Sequence, residues 1–261
     1  GEDIPRIELP FDFPRPAVFS FAGDRYAFGL ELETAAALKE MGNRTGATLY
    51  MTLLAAFNIL LYKYTSKEDI IVGSGTMGRP HADLQRIPGM FVNILPMRNC
   101  PANRKTCLQF IQEIKENSIQ AFENQDVQFE DLVEKINPPR DPSRNPIFDV
   151  VFIVQNFERA KKELKTITVS ASPLENKTAK FDLTLSAFID EDVNFVMEYC
   201  TALFKRETIE RMAGHLRSVL GQMVERPGIG ISEIDILTEE EKRQLLADFN
   251  DTATAYPRDK T

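Results

Sequence analysis

Residues 48–80, TLYMTLLAAFNILLYKYTSKEDIIVGSGTMGRP, place two opposite signals side by side. Leu49, Leu53, Phe57, Leu60, Leu61 and Tyr64 recur at three- and four-residue steps, the stripe of a buried helix. Thr48 stands where a side-chain oxygen can accept from the first free amides, so it is the expected N-cap. Asp69 to Gly73 then reads as a short buried strand, and Ser74 to Pro80 leaves it as a loop. A buried helix feeding straight into a buried strand points to an α/β protein.

The flanking sequence extends this pattern. Upstream, a strand is expected over Arg25–Glu31 and a helix through Ala35–Met41 that stops near Gly42 and Asn43. Before them, Pro5, Pro10, Pro14 and Pro16 each fix φ and remove a donor, giving an extended arm. Downstream, Phe91–Met97 looks extended. Thr106 and Gln109 form a capping box for a helix using Leu108, Ile111, Ile114, Ile119 and Phe122. Strands follow over Ile147–Phe157, Thr166–Ser170, Phe181–Ile189 and Val193–Tyr199, with a turn at Asp190-Glu191-Asp192. Ile209, Met212, Leu216, Val219, Leu220 and Met223 mark a last helix ended by Pro227-Gly228. The expected fold is an α/β two-layer sandwich, helices on a sheet.

Composition limits the function. The 261 residues carry 31 basic and 39 acidic side chains, a net charge of −8. That balance argues against broad binding to nucleic acid or anionic membrane, which needs positive charge to displace counterions. The longest apolar run, Leu49–Tyr62, is broken by Thr52 and Asn58 and falls short of the ~20 residues that cross a bilayer. No basic and apolar leader opens the sequence. Cys100, Cys107 and Cys200 cannot all pair and lack zinc-knuckle spacing, so a reducing, cytoplasmic setting is expected and no metal.

Catalysis by a nucleophile or base needs a cluster of groups, and the chain has only two histidines. His81 belongs to a loop and His215 to the last helix; both read as structural or surface residues, so no catalytic residue is assigned. Gly73-Ser74-Gly75-Thr76-Met77-Gly78 superficially matches a dinucleotide fingerprint, but Arg79-Pro80 follows where a helix must begin. Arg140-Asp141-Pro142-Ser143-Arg144-Asn145-Pro146 reads as a tight corner held by side-chain-to-backbone bonds and an Arg–Asp pair.

Taken together and in order, several segments resemble condensation domains of nonribosomal peptide synthetases. Ile87 to Arg98, IPGMFVNILPMR, is similar to their fifth motif. Asn124 to Glu130, NQDVQFE, is similar to the sixth, with Asn124 where a histidine is usual. Arg140 to Pro146 matches the RDxSRNP seventh motif. Leu9 to Pro16 resembles the arm joining the two lobes, and Leu237 to Ala253 a linker toward an adenylation domain. The family's HHxxxDG catalytic motif does not occur.

The resemblance implies the C-terminal lobe of such a domain, chloramphenicol-acetyltransferase-like, with a mixed sheet covered by helices. Residues 1–20 would be the inter-lobe arm, 21–232 the lobe and 233–261 the linker. Gly75, Thr76 and Arg79 would belong to the tunnel floor. Gly89, Phe91 and Asn93 would lie at the lobe interface, with Asn93 free to hydrogen-bond near a thioester. Arg140, Asp141, Ser143, Arg144, Asn145 and Pro146 would be architectural. A crossover within residues 156–186 would latch the other lobe, and the interface would leave apolar surface exposed. Implied partners are an N-terminal condensation lobe, donor and acceptor peptidyl carrier domains bearing phosphopantetheine, and a downstream adenylation domain. No cofactor is expected on this chain itself. An epimerisation-type lobe, a carrier-docking module without chemistry and a self-sufficient acyltransferase are the alternatives.

Overall fold

The computed structural model describes residues 4–79, 81–155, 177–190 and 192–251. Among them, six strands form one mixed sheet: β1 Gly23–Gly29, β2 Ile70–Thr76, β3 Asn93–Asn99, β4 Val150–Gln155, β5 Leu183–Ile189 and β6 Val193–Cys200. Their order is β1-β6-β5-β4-β2-β3, with β4 parallel to both β2 and β5 and the other pairs antiparallel. The helices are α1 Leu32–Thr45, α2 Leu49–Thr65, α3 Cys107–Glu123, α4 Phe129–Ile136, α5 Arg206–Glu225 and α6 Glu239–Leu246.

Period-two alternation sorts the strands' side chains into two layers. Ile70, Val72, Val150, Phe152, Leu185 and Phe195 join α1, α2, α3 and α5 in the main core. Ile71, Val151, Ile147 and Phe148 point the other way and meet Phe129, Leu132 and Val133 of α4 in a smaller cluster. Beyond α4 the same face carries an open trough of about 1060 Å³ lined by Arg25, Thr184, Ser186, Phe188, Val196 and Glu198. The fold is thus the expected α/β sandwich on a mixed sheet.

Local detail departs from expectation where tertiary packing overrides pattern. Every residue of α2 from Met51 to Tyr62 is buried, so the helix is enclosed all round and not on one stripe. Its polar members are bonded internally: Asn58 Nδ2 donates to Leu54 O at 2.8 Å and Thr52 Oγ1 to Thr48 O at 3.3 Å. Thr48 caps it as expected, accepting from Met51 N. The capping box of α3 also forms, between Thr106 and Gln109. Its buried line, however, is Cys107, Phe110, Ile111, Ile114 and Ser118, while Ile119 is exposed.

Helix α1 runs through Gly42 and stops at Gly46, whose φ of 64° is the left-handed C-cap. Gly42 is small because the Ala47 carbonyl lies 2.8 Å from where its Cβ would be. Strand β1 starts at Gly23 and β3 at Asn93, two residues away from expectation in each case. Helix α4 has no counterpart in the sequence reading. The expected strand Thr166–Ser170 lies outside the described residues. No single helix among the described residues is long and apolar enough to cross a membrane.

Burial leaves a pH signature. It pushes the Cys107 thiol up from 9.0 to about 12 and the Tyr50 hydroxyl up from 10.0 to about 12. For each acid, the unfolded chain releases its proton first as pH rises, so stability is lost between the unfolded and folded values. The urea midpoint is expected to fall between pH 8.5 and 11, and Cys107→Ala to remove the earliest part of that fall. An unchanged midpoint over this range would contradict the burial of both groups.

Candidate functional site

Strands β2 and β3 pair from Ile70↔Asn99 to Thr76↔Asn93 and carry the connecting residues 77–92 at their open end. Gly75 and Thr76, expected in the loop, are the last paired residues of β2; the loop starts after them. Gly78 sits at φ 59°, and a Cβ there would lie 1.7 Å from Phe91 O, so only glycine fits. The Arg79 guanidinium stacks over the Phe91 ring, 4.2 Å from its centroid. It also donates to Leu84 O, to Ile87 O at 2.9 Å and to Gly89 O at 3.4 Å. Arg79, Gly89 and Phe91 are therefore one unit, organised from within by a single cation. Around it Met77, Ile87, Met90 and Val92 are exposed, Met90 at 96%. Contiguous apolar exposure of this kind is a mark of contact surfaces.

Asn93 ties this hairpin to the next segment. Its Nδ2 donates to Gln125 O at 3.0 Å and Val127 O at 2.7 Å. Its Oδ1 accepts from Ile94 N at 2.9 Å and from Phe129 N at 3.3 Å. The side chain thus caps α4 from a neighbouring strand, where the helix's own N-cap, Gln128, makes no such bond. Thr76 Oγ1 adds a bond to Gln125 Oε1 at 2.7 Å. The Asn93 side chain is therefore buried, with its amide nitrogen and its oxygen both engaged by backbone groups of residues 94–129.

The corner 140–146 is built from carboxylates. Asp141 Oδ1 accepts from Ser143 Oγ at 2.6 Å and Ser143 N at 2.8 Å. Those bonds, the hydroxyl's above all, hold the Asp141 carboxyl below its ordinary value. Arg144 makes its closest ion pair with Asp149, at 3.1 Å, and stands 3.9 Å from Asp141. The strong Arg–Asp pair thus reaches outside the motif. Asp149 also accepts from Asn145 N at 3.0 Å, and Asn145 Nδ2 donates to Lys180 O. Arg140 is exposed on the rim of a groove of about 850 Å³, with Phe129 and Val133 of α4 and Pro142 and Pro146 of the corner. Helix α4 therefore stands between the two motif regions, bonded to Asn93 at its start and packed against Phe148 through Phe129, ring centroids 5.3 Å apart. No local pattern announces Gln125, which acts on Thr76, 49 residues away; Asp149 acts locally, on residues four and five positions before it.

Neither histidine is set up as a base. His81 is exposed in the hairpin loop. His215 is buried with both nitrogens engaged, Nδ1 by Tyr64 OH at 2.7 Å and Nε2 by Glu241 at 2.9 Å. The arrangement supplies a shaped, partly apolar wall.

The condensation-domain profile matches residues 1–246. The chain belongs to the condensation-domain family. It is 48% identical over 260 residues to tyrocidine synthase 3 of Brevibacillus parabrevis, covering 99% of this chain and 4% of that protein. It is 46% identical to bacitracin synthase 3 of Bacillus licheniformis, with the same coverages. Among solved structures, the X-domain from teicoplanin biosynthesis matches with a TM-score of 0.82 and 29% identity, covering 91% of this chain and 54% of that one. A four-domain nonribosomal peptide synthetase bound to AMP and glycine matches with a TM-score of 0.81 and 26% identity, over 90% of this chain and 19% of that one. This condensation-domain chain thus spans a small fraction of the synthetases it matches and about half of the X-domain.

Proposed function

We propose that these residues are the C-terminal lobe of a condensation domain within a cytoplasmic peptide synthetase. The lobe forms one wall of the tunnel in which an amide bond is made between two carrier-bound thioesters. Residues 1–20 serve as the inter-lobe arm, 21–232 as the lobe and 233–261 as the linker toward an adenylation domain. The acceptor's amine nitrogen attacks the donor's thioester carbon, and its proton passes to the HHxxxDG histidine of the N-terminal lobe. The carbon–sulfur bond breaks, and the departing phosphopantetheine thiolate takes that proton from the histidine to leave as a thiol. Because both reactants are tethered, a slow bimolecular aminolysis becomes effectively unimolecular, and positioning supplies most of the acceleration.

In this scheme Gly75, Thr76 and Arg79 shape the tunnel floor, Gly89, Phe91 and Asn93 the lobe interface, and residues 140–146 the frame behind them. The exposed Met77, Ile87, Met90 and Val92 supply apolar surface for that interface. The latch within 156–186 falls largely outside the described residues. The observation that carries the reading is the pair of histidines: one exposed, one saturated by Tyr64 and Glu241, on a chain about half as long as a solved domain of this fold.

A second reading is a docking module without chemistry. It is favoured by the solved complex of the X-domain with OxyB, a matching fold bound to another protein. The two separate on restoring the upstream half and adding donor and acceptor carriers loaded as thioesters. A condensation lobe gives dipeptidyl product on the acceptor carrier; binding without product identifies the docking module.

A further inference from the structure

Residues 4–22 contain no helix or strand, yet they are bonded to the lobe every few residues. Arg6 donates to Asn145 O and Pro146 O, each at 2.7 Å. Ile7 and Leu9 are buried in the main core. Asp12 accepts from Lys205 N at 2.8 Å and Thr208 Oγ1 at 3.0 Å, capping α5, whose own N-cap side chain makes no bond. Arg15 forks onto both oxygens of Asp182 and donates to Ser143 O at 3.0 Å. Phe19 N reaches Pro142 O at 2.9 Å, and Phe21 and Gly23 pair with Ala179 and Lys177 just ahead of β5.

Four charges at the centre of this array are largely enclosed. The side chains of Arg15 and Arg144 are 14% and 13% exposed, those of Asp182 and Asp149 2% each. Burial pushes the Asp182 carboxyl up despite its bond to Arg15, so the lost hydration is not fully recovered. An apolar cluster would hold these strands together at less cost; what it would lack is one fixed geometry. Arg6 and Arg15 between them hold the carbonyls of Ser143, Asn145 and Pro146, in the motif itself, and Arg15 holds Asp182 as well.

We propose that the corner 140–149 is a clasp for the arm: Arg6 and Arg15 lock residues 4–22 to the entry of β4 and β5. The arm then moves as part of this lobe, and the joint between lobes lies before Arg6. Arg6, Arg15 and Asp182 are positioning residues, since the other lobe hangs from the arm they fix; that consequence rests on the two-lobe reading.

The test is amide hydrogen exchange and single-turnover amide formation in the complete two-lobed domain, comparing Arg15→Gln, Arg15→Lys and the milder Arg6→Gln. The amides of Phe13, bonded to Leu203 O at 3.3 Å, and of Phe19 should exchange about tenfold faster or more in both glutamine variants, with those of α2 unchanged. Turnover should fall about tenfold at unchanged KM for the carriers, because reactants bind but are misaligned. Arg15→Lys should recover part of both. Unchanged exchange in both glutamine variants overturns the clasp, as does equal acceleration in the arm and in α2. A loosened arm with unchanged turnover overturns the positioning role. If the unaltered domain makes no amide bond, the functional reading fails, and exchange alone still decides the clasp.

Discussion

Gly78→Ala is expected to lower amide formation by the complete domain about 100-fold while leaving the lobe folded. Two effects coincide at this residue. The left-handed φ of 59° costs a non-glycine residue ~1 kcal/mol or more. The new methyl must also clear Phe91 O, 1.7 Å from its ideal position, and only opening the loop achieves that. Moving Phe91 takes away the ring on which Arg79 stacks, and Arg79 then loses its hold on Leu84, Ile87 and Gly89. Misplacement of a reacting pair by about 1 Å is enough for ~100-fold. No described residue from 77 to 92 belongs to either apolar core, so melting should change by a few degrees at most. Gly221→Ala, on α5 with open space around the added methyl, serves as control. It should raise stability by ~0.5–1 kcal/mol with activity intact. A Gly78→Ala domain with normal turnover would show that the hairpin loop plays no part in the chemistry.

Asp149→Ala is expected to destabilise the fold by about 3–5 kcal/mol, the cost of removing one partner of a buried ion pair. Asp149 is 2% exposed and holds Arg144 and the amide of Asn145 together. Without it, Arg144 keeps only the distant Asp141 and Glu8 oxygens at 3.9 and 3.6 Å, and Asn145 N is left without its acceptor. Asp149→Asn retains an oxygen for that amide and should lose about 1–3 kcal/mol. Urea unfolding of both variants measures the difference. Equal, small losses would mean that Arg144 finds solvent easily and that the corner is not a buried ionic joint.

What could be read from the sequence was whatever is specified locally. Thr48 and the Thr106–Gln109 pair announce two helix starts because capping is a contact between residues three apart. The β5–β6 hairpin follows from alternation on either side of Asp190 and Asp192. Helix α4 offers no local start signal, since its cap is Asn93, 36 residues away; Phe129, Leu132, Val133 and Ile136 do keep helical spacing, but over only eight residues. Gly42 misleads for a related reason: it looks like a stop but is a close-approach site for Ala47. In the same way, the saturation of Asn93 depends on which segments become neighbours, whereas the Arg144 partner, Asp149, lies only five residues on. Motif resemblance located the hairpin and the corner; only the fold shows that α4 bridges them.

The most direct measurement is single-turnover amide formation from loaded donor and acceptor carriers, run with this chain alone, with the complete domain and with its His81→Ala variant. The chain alone should give the uncatalysed rate, and the complete domain and the variant should give equal, fast rates. Turnover by the chain alone, abolished by His81→Ala, would contradict this, because the proton acceptor would then lie in these 261 residues.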